Sequence, residues 1–194
     1  GRLSSARFGI DESEFFTADD RGSVSYWRVD RDDRQKTFNG AQGAVIAIDY
    51  DFDAGVVLAA GNKKRAYAWD FRNPKKAPAV FEGHPGGIRD IRFDSDPNRF
   101  LTAGEEGVTI IWSRETGEPV AKLISTQRGW AVIDQDGRFD GSNRALQNLS
   151  WVNDALALPI DHFTEAFYEP DLLQKKRLGI GTLLTAGTAS LKDG

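Results

Sequence analysis

Apolar and polar positions along residues 3–128 are arranged in runs of strand length. Four of them follow one another in Ile88-Arg89-Asp90-Ile91-Arg92-Phe93, Arg99-Phe100-Leu101-Thr102-Ala103, Val108-Thr109-Ile110-Ile111-Trp112 and Val120-Ala121-Lys122-Leu123. The pattern recurs. Trp27, Trp69 and Trp112 stand 42 and 43 residues apart, with apolar Phe16, Leu58 and Leu101 eleven residues before each and aromatic Phe8, Tyr50 and Phe93 nineteen before. Between these columns lie turn-forming segments in matching places, Asp19-Asp20-Arg21-Gly22, Gly61-Asn62-Lys63-Lys64 and Gly104-Glu105-Glu106-Gly107, so each unit contains a hairpin.

Four short antiparallel strands repeated at this period predict three blades of a β-propeller, whose two apolar faces bury against neighbouring blades. Within the units, Trp69-Asp70 and Gly83-His84, 14 residues further on, resemble the marker dipeptides of the WD-repeat family. The other units depart from it: Trp27 is followed by Arg28 and Trp112 by Ser113, and the Gly-His position reads Asn39-Gly40 and Arg128-Gly129. The resemblance implies a hydrogen-bond network of aspartate, histidine, serine or threonine, and tryptophan, which the middle region alone is expected to build in part. Trp27, Trp69, Asp70, Gly83, His84 and Trp112 are the expected structural markers of the repeat. Three units fall short of the about 4 to 8 blades that close a propeller. Cover for the exposed blade faces is expected from remaining blades of a parent protein, from strands supplied by the downstream region, from protein partners or from a second copy.

After Gly129 the period stops. Trp130-Ala131-Val132-Ile133, the turn Asp136-Gly137 and Arg138-Phe139 predict one more hairpin. From Ser142, a potential N-cap, the stripe Ala145, Leu146, Leu149, Trp151 and Val152 predicts a helix broken by Pro159. A short helix capped by Asp161 and carrying Phe163, Ala166 and Phe167 follows. A further helix is expected with Pro170 in its first turn, Leu172, Leu173 and Leu178 facing inward, and Gly179 at its end. Residues 180–194 are small and weakly patterned and read as linker. The stretch from Gly129-Trp130 through Asp136-Gly137-Arg138-Phe139-Asp140-Gly141-Ser142 to Phe167-Tyr168-Glu169-Pro170-Asp171-Leu172-Leu173 resembles a segment that follows the WD repeats of large bacterial proteins, many of which also carry a caspase-like peptidase domain. That resemblance implies a regulatory or scaffolding neighbour of a peptidase. The catalytic cysteine of such a peptidase is absent from this sequence.

Composition narrows the function. Among 194 residues 40% are hydrophobic, enough for a sizeable core, and 25 basic against 29 acidic residues give a net charge of −4, unsuited to a nucleic-acid or anionic-membrane surface. The sequence has no cysteine, which removes disulfides and thiolate chemistry and leaves a cytoplasmic or periplasmic setting open. No apolar run is long enough to span a bilayer, so the chain reads as soluble. It also has no methionine and opens on Gly1-Arg2-Leu3, which reads as a fragment of a larger protein.

Candidate chemistry has plain structural readings. Asp134, Asp136 and Asp140 around Gly137 resemble part of a calcium loop but lack its closing glutamate, and a turn is expected. Asp51 and Asp53, or Asp94 and Asp96, fall between predicted strands as loop acids. His84 is expected as a structural repeat residue and His162 as an early helix residue. Lys63-Lys64-Arg65 and Lys75-Lys76 read as solvated turns. Trp151, Phe163, Phe167 and Tyr168 read as the docking face of the short helices. The expectation is therefore a mainly β, partial WD-repeat-type propeller of three four-stranded blades over residues 3–128, a hairpin and helical tail packed on it over 129–179, and an end segment over 180–194. Its expected role is a non-catalytic protein–protein interaction scaffold without cofactor or metal. The alternative is a regulatory or substrate-presenting module of a bacterial caspase-like peptidase whose catalytic domain lies outside this chain.

Overall fold

The structure, a computed structural model, describes residues 1–9, 13–31, 33–153 and 156–177. The chain is mainly β. The first sheet holds β1 (Leu3–Phe8), β2 (Glu14–Asp19), β3 (Val24–Arg28) and β4 (Arg34–Phe38), and the second holds β5 (Val45–Asp51), β6 (Val56–Gly61), β7 (Arg65–Asp70) and β8 (Ala79–Glu82). Each is an antiparallel meander in sequence order. The third runs through β9 (Ile88–Phe93), β10 (Arg99–Gly104), β11 (Val108–Ser113) and β12 (Pro119–Thr126) and continues into β13 (Gly129–Asp134) and β14 (Phe139–Gly141).

Period-two alternation along β6 shows how the sheets stack. Val57 and Ala59 join Phe16, Ala18, Val24, Tyr26 and Phe38 of the first sheet in one buried cluster, while Val56, Leu58 and Ala60 join Ile91, Phe100, Ile110 and Trp112 of the third in another. The second sheet is therefore buried on both faces, as a propeller blade between two neighbours must be. The first strands β1, β5 and β9 meet along the stack, and Asp49 on β5 ties them together. Its carboxylate pairs with Arg7 of β1 at 2.9 Å and accepts the Phe93 backbone N–H of β9 at 2.8 Å.

The hairpins turn on backbone with positive φ at the same distance from each tryptophan: Gly22 (φ 90), Lys64 (φ 64) and Gly107 (φ 80). Glycine meets that need without strain in the first and third sheets. Lysine holds a left-handed conformation in the second at a cost of about 1–2 kcal/mol.

The tail differs from its expected form in several respects. The hairpin after Gly129 is no separate element, because β13 pairs with β12 from Ala121↔Asp134 to Thr126↔Gly129 and enlarges the third sheet to six strands. The expected helix over 142–152 is only α1 (Asn143–Leu146), and β15 (Ser150–Asn153) pairs with β16 (Leu156–Pro159) as a further hairpin. Asn148 explains the early stop. Its side-chain amide donates to the Arg144 carbonyl at 2.6 Å, the acceptor its own N–H would use in a continuing helix, and that N–H turns instead to Ala145 at 3.0 Å. Ser142 stands at the N-cap of α1 without a side-chain cap bond, its hydroxyl being engaged with the Trp130 backbone. Asp161 caps no helix either. It lies inside a 3-10 turn (Ile160–Phe163) preceded by Pro159, and α2 (Thr164–Phe167) starts after Phe163. Pro170 precedes α3 (Leu172–Arg177) by two residues. Leu178, Gly179 and residues 180–194 lie outside the described residues, as do the side chains of Trp151 and Val152.

Candidate functional site

Two constellations concentrate the buried polar chemistry: a side-chain network inside the third sheet and an ionic latch that holds the tail. In the network, Thr102 is completely buried on β10 and its hydroxyl lies 2.7 Å from Trp112 Nε1 on β11 and 2.7 Å from His84 Nε2. His84 Nδ1 contacts the Glu106 carboxylate. A carboxylate only accepts, so Nδ1 carries the proton; in the neutral ring Nε2 then accepts from Thr102, whose oxygen accepts from the indole N–H. Donation thus runs in one sense, Trp112 to Thr102 to His84, with His84 also donating to Glu106. The other Glu106 oxygen, Oε2, is buried without a hydrogen-bond partner. Glycine makes the space: a Cβ at Gly83 would come within 3.0 Å of the Trp112 ring, and one at Gly104 would collide with the Glu106 carboxylate.

The six expected markers are not brought to one place. His84, with Gly83 before it, reaches forward to Trp112 in the third sheet and not back to Trp69-Asp70. Asp70 is exposed, and its carboxylate accepts the Arg72 N–H at 2.8 Å in the turn after β7. The network forms in the third sheet rather than the middle one, with Glu106 supplying the acid. The positions aligned with Gly83-His84, 29 and 28 residues before the tryptophan, are Gly40-Ala41 in the second unit rather than Asn39-Gly40, and Ala41 offers no imidazole. Ten residues before the tryptophans stand Thr17, Ala59 and Thr102. Trp27 accordingly donates to Thr17 Oγ1 at 2.9 Å, whereas Trp69, facing Ala59, donates to the Asn39 carbonyl at 2.9 Å. Glu106 and Thr102 were missed in the sequence. The ten-residue column is the signal that points to Thr102.

The latch joins β13, β14 and α3. The side chain of Asp134 is fully buried and meets Arg138 at 2.8 Å and Lys176 at 2.9 Å, while Arg138 also pairs with Asp136 at 2.9 Å. Asp140 accepts the backbone N–H of Asp171 at 2.9 Å. The three acids suggestive of a calcium loop are thus matched to cations and backbone donors, and among the described residues no cluster of His, Asp and Glu is placed to hold a metal. Beside Asp140 the Tyr168 hydroxyl is held above its usual range by desolvation and by that carboxylate. Its ring lies 5.9 Å from Phe139. Phe163 and Phe167 contact each other at 6.4 Å and line a shallow cavity of about 370 Å³ with Gln135, Asp136 and Gly137.

The remaining candidates sit in turns. Asp51, Asp94 and Asp96 accept the backbone N–H groups of Ala54, Ser95 and Asn98, and His162 is exposed in the 3-10 turn. Arg65 pairs with Glu82 at 2.6 Å, and Lys63, Lys75 and Lys76 are exposed.

Comparison with known proteins agrees with this geometry. Residues 75–113 match the family model described as WD domain, G-beta repeat. That match covers one repeat unit of the chain. The matched stretch runs from the segment before β8 to the end of β11, so the sequence repeat is offset from the sheet and takes in both His84 and Trp112. The chain is similar to the DENN domain and WD repeat-containing protein SCD1 of Arabidopsis thaliana, with 31% identity over 107 residues, 55% of this chain and 9% of that protein. It is similar to protein transport protein sec31 of Aspergillus oryzae, with 28% identity over 151 residues, 69% of this chain and 12% of that protein. With THO complex subunit 6 of Arabidopsis thaliana it shares 31% identity over 109 residues, 56% of this chain and 28% of that protein. In each case the match spans less than a third of the relative's length. These relatives are eukaryotic and give no support to the bacterial, caspase-associated link expected from the segment after Gly129.

Proposed function

We propose that the chain is a non-catalytic protein–protein interaction scaffold, a section of WD-type propeller that offers the turns and edges of stacked sheets to other proteins. The stack itself carries this reading: the second sheet is buried on both faces, and the deepest polar groups are spent on holding strands together. Thr102, His84 and Trp112 satisfy one another away from solvent, and the buried Asp134 carboxylate is enclosed by two cations, so these side chains are paired structurally rather than left free as a general acid or base. In this reading residues 3–128 are the blade section, 129–179 are the docked tail, and Trp27, Trp69, Asp70, Gly83, His84 and Trp112 are structural rather than catalytic. The names of the relatives, a transport protein and a subunit of a complex, agree with a role in assembly. The peptidase-module reading rests on the resemblance of residues 129–173 alone and gains nothing from the geometry.

The test pairs an activity screen with binding. The purified chain should turn over no peptide, glycoside, ester or phosphoester substrate, and should retain a protein partner through size-exclusion chromatography only while folded. Turnover that a single carboxylate substitution abolishes would refute the scaffold reading.

A further inference from the structure

The second and third sheets leave a cleft at the end of the stack where β5 turns into β6 and where β7 and β11 finish. It holds about 320 Å³, at the small end of the roughly 300–1,000 Å³ usual for ligand sites. Val56, Ala68 and Phe81 of the second sheet give it an apolar lining, and Arg72, Arg114 and Asp70 a charged one. Arg72 follows β7 in a stretch of chain pinned at three points. The Phe71 N–H donates to the Gly55 carbonyl at 2.8 Å, the Phe71 carbonyl accepts from Lys36 Nζ at 2.9 Å, and the Arg72 N–H donates to Asp70 at 2.8 Å. The Arg72 guanidinium lies over Gly55, where a Cβ would come within 2.9 Å of it, so a side chain at that position would displace it.

Neither cation in this cleft is neutralised by the described residues. Arg7, Arg65, Arg99 and Arg138 each find a carboxylate, but among the described residues the Arg72 guanidinium makes no hydrogen bond or ion pair. Arg114 is held in place without a carboxylate partner. Its guanidinium donates to the Pro97 carbonyl and lies 5.9 Å from the Phe93 ring, and its backbone N–H donates to the Asn98 carbonyl at 2.8 Å. Burial pushes the Arg114 guanidinium below its usual range, against the pull of the Asp51 carboxylate, which is itself engaged with the Ala54 N–H at 2.9 Å. A half-buried cation without a counter-charge is unfavourable, and an anion entering the cleft would offset that cost.

We propose that this cleft binds a glutamate or aspartate side chain from an extended segment of a protein partner, with Arg72 and Arg114 as its donors. Two guanidinium groups against the single Asp70 carboxylate leave the lining one positive charge in excess, which one carboxylate balances. A phosphate, with about 1.5–2 negative charges, would set its surplus against Asp70. The guanidinium fork matches a carboxylate in plane, and the apolar lining receives the methylene groups behind it. The neighbouring strand edge makes the occupant a peptide. β8 is the outer strand of the second sheet and starts at the cleft with Ala79, and Val80 beyond it is 47% exposed. Its open side offers backbone N–H and C=O groups to an added strand. The inference deepens the scaffold reading and rests on it. Turnover defeats that reading, whereas peptide binding that ignores the two arginines defeats this inference alone.

The test follows the fluorescence anisotropy of a labelled, amide-capped peptide of alternating glutamate and threonine as the full chain is added at physiological salt. A peptide with glutamine in place of glutamate is the control. The glutamate peptide should bind and the control should not, and Arg72→Gln or Arg114→Gln should each weaken binding about tenfold. Arg72→Lys, which keeps the charge and loses the fork, should weaken it several-fold. Lys75→Gln with Lys76→Gln, in the same loop but outside the cleft, should change it less than about twofold. Far-ultraviolet dichroism checks each fold, and the variants of the exposed Arg72 carry the test if Arg114→Gln unfolds. Absence of binding, insensitivity to Arg72→Gln, or equal weakening by the lysine pair would each overturn the inference. Tighter binding of a peptide with phosphoserine in place of one glutamate would overturn it in favour of a phosphate site, and displacement by free glutamate as strong as by the peptide would overturn it in favour of a small carboxylate.

Discussion

Replacing Thr102 by valine keeps the volume of the side chain and removes one hydroxyl, and that hydroxyl joins two buried groups. Trp112 Nε1 loses its acceptor and His84 Nε2 its donor, each from 2.7 Å, at a site where Thr102 and Trp112 are wholly inaccessible to water. A buried polar group left unpaired costs about 1–3 kcal/mol. Both together, after partial relaxation, predict a loss of about 2–4 kcal/mol for Thr102→Val. The internal control is Thr17→Val. It removes the equivalent acceptor of Trp27, at 2.9 Å, but Trp27 lies on the half-open face where water can replace the hydroxyl. That change should cost less than about 1 kcal/mol. Urea unfolding followed by far-ultraviolet dichroism measures both, with the slope checked for constancy because stacked sheets need not unfold in one step. If Thr102→Val costs no more than Thr17→Val, the network does not stabilise the third sheet and the argument fails.

Other expected outcomes follow from single positions. Lys64→Gly should raise stability by about 0.5–1 kcal/mol, since it relieves a left-handed lysine at the position Gly22 and Gly107 fill in the other hairpins, and thermal unfolding reads it. Asp49→Ala should cost about 2–3 kcal/mol in denaturant unfolding, more than Arg7→Ala, because Asp49 is buried and also holds the Phe93 N–H whereas Arg7 is over a third exposed. Gly104→Ala should push the Glu106 carboxylate off His84 at about 1.5–3 kcal/mol, and adding Glu106→Ala should cost little more, a non-additivity that a double-mutant cycle measures. Burial opposes ionisation of Asp19, but the backbone N–H groups of Ser23 and Arg21 outweigh it and hold the carboxyl below its usual range. Its contribution is therefore present above the unfolded carboxylate range and lost as pH falls through the lower folded value, so Asp19→Ala should flatten the acid limb of a stability–pH curve.

The sheets were legible because two signals coincide: strand-length alternation and a tryptophan every 42 or 43 residues. Phe16, Leu58 and Leu101 align by count alone, and all three occupy the same position on the second strand of their sheets. The tail was less legible because short apolar runs fit helix and strand alike. Trp151 and Val152 count as the end of a helical stripe with Ala145, Leu146 and Leu149 until Asn148 turns the chain and Ser150–Asn153 pairs with Leu156–Pro159. The network escaped for a different reason. Gly83-His84 follows Trp69-Asp70 closely in sequence, which suggests one unit, yet a segment that leads into a sheet packs with that sheet. Distance to the next tryptophan, 28 residues from His84 to Trp112, is the relevant measure, and Thr102 follows from it.

The two ends of the row are built to opposite physical requirements. The third sheet has a buried polar network, two extra strands beyond β12, and a helix whose leucines pack on Ile111, Ala121, Leu123 and Val132 under an ionic latch. The first sheet has none of these on its free side. Its Trp27–Thr17 bond is part-buried, Phe8 is exposed, and β1 rests on the second sheet through Arg7 and through Ser4, whose hydroxyl donates to the Val45 carbonyl. Aromatic surface left in water does nothing for an isolated sheet, whereas the same columns become the best-buried positions once a blade lies against them, as Trp69 and Trp112 demonstrate.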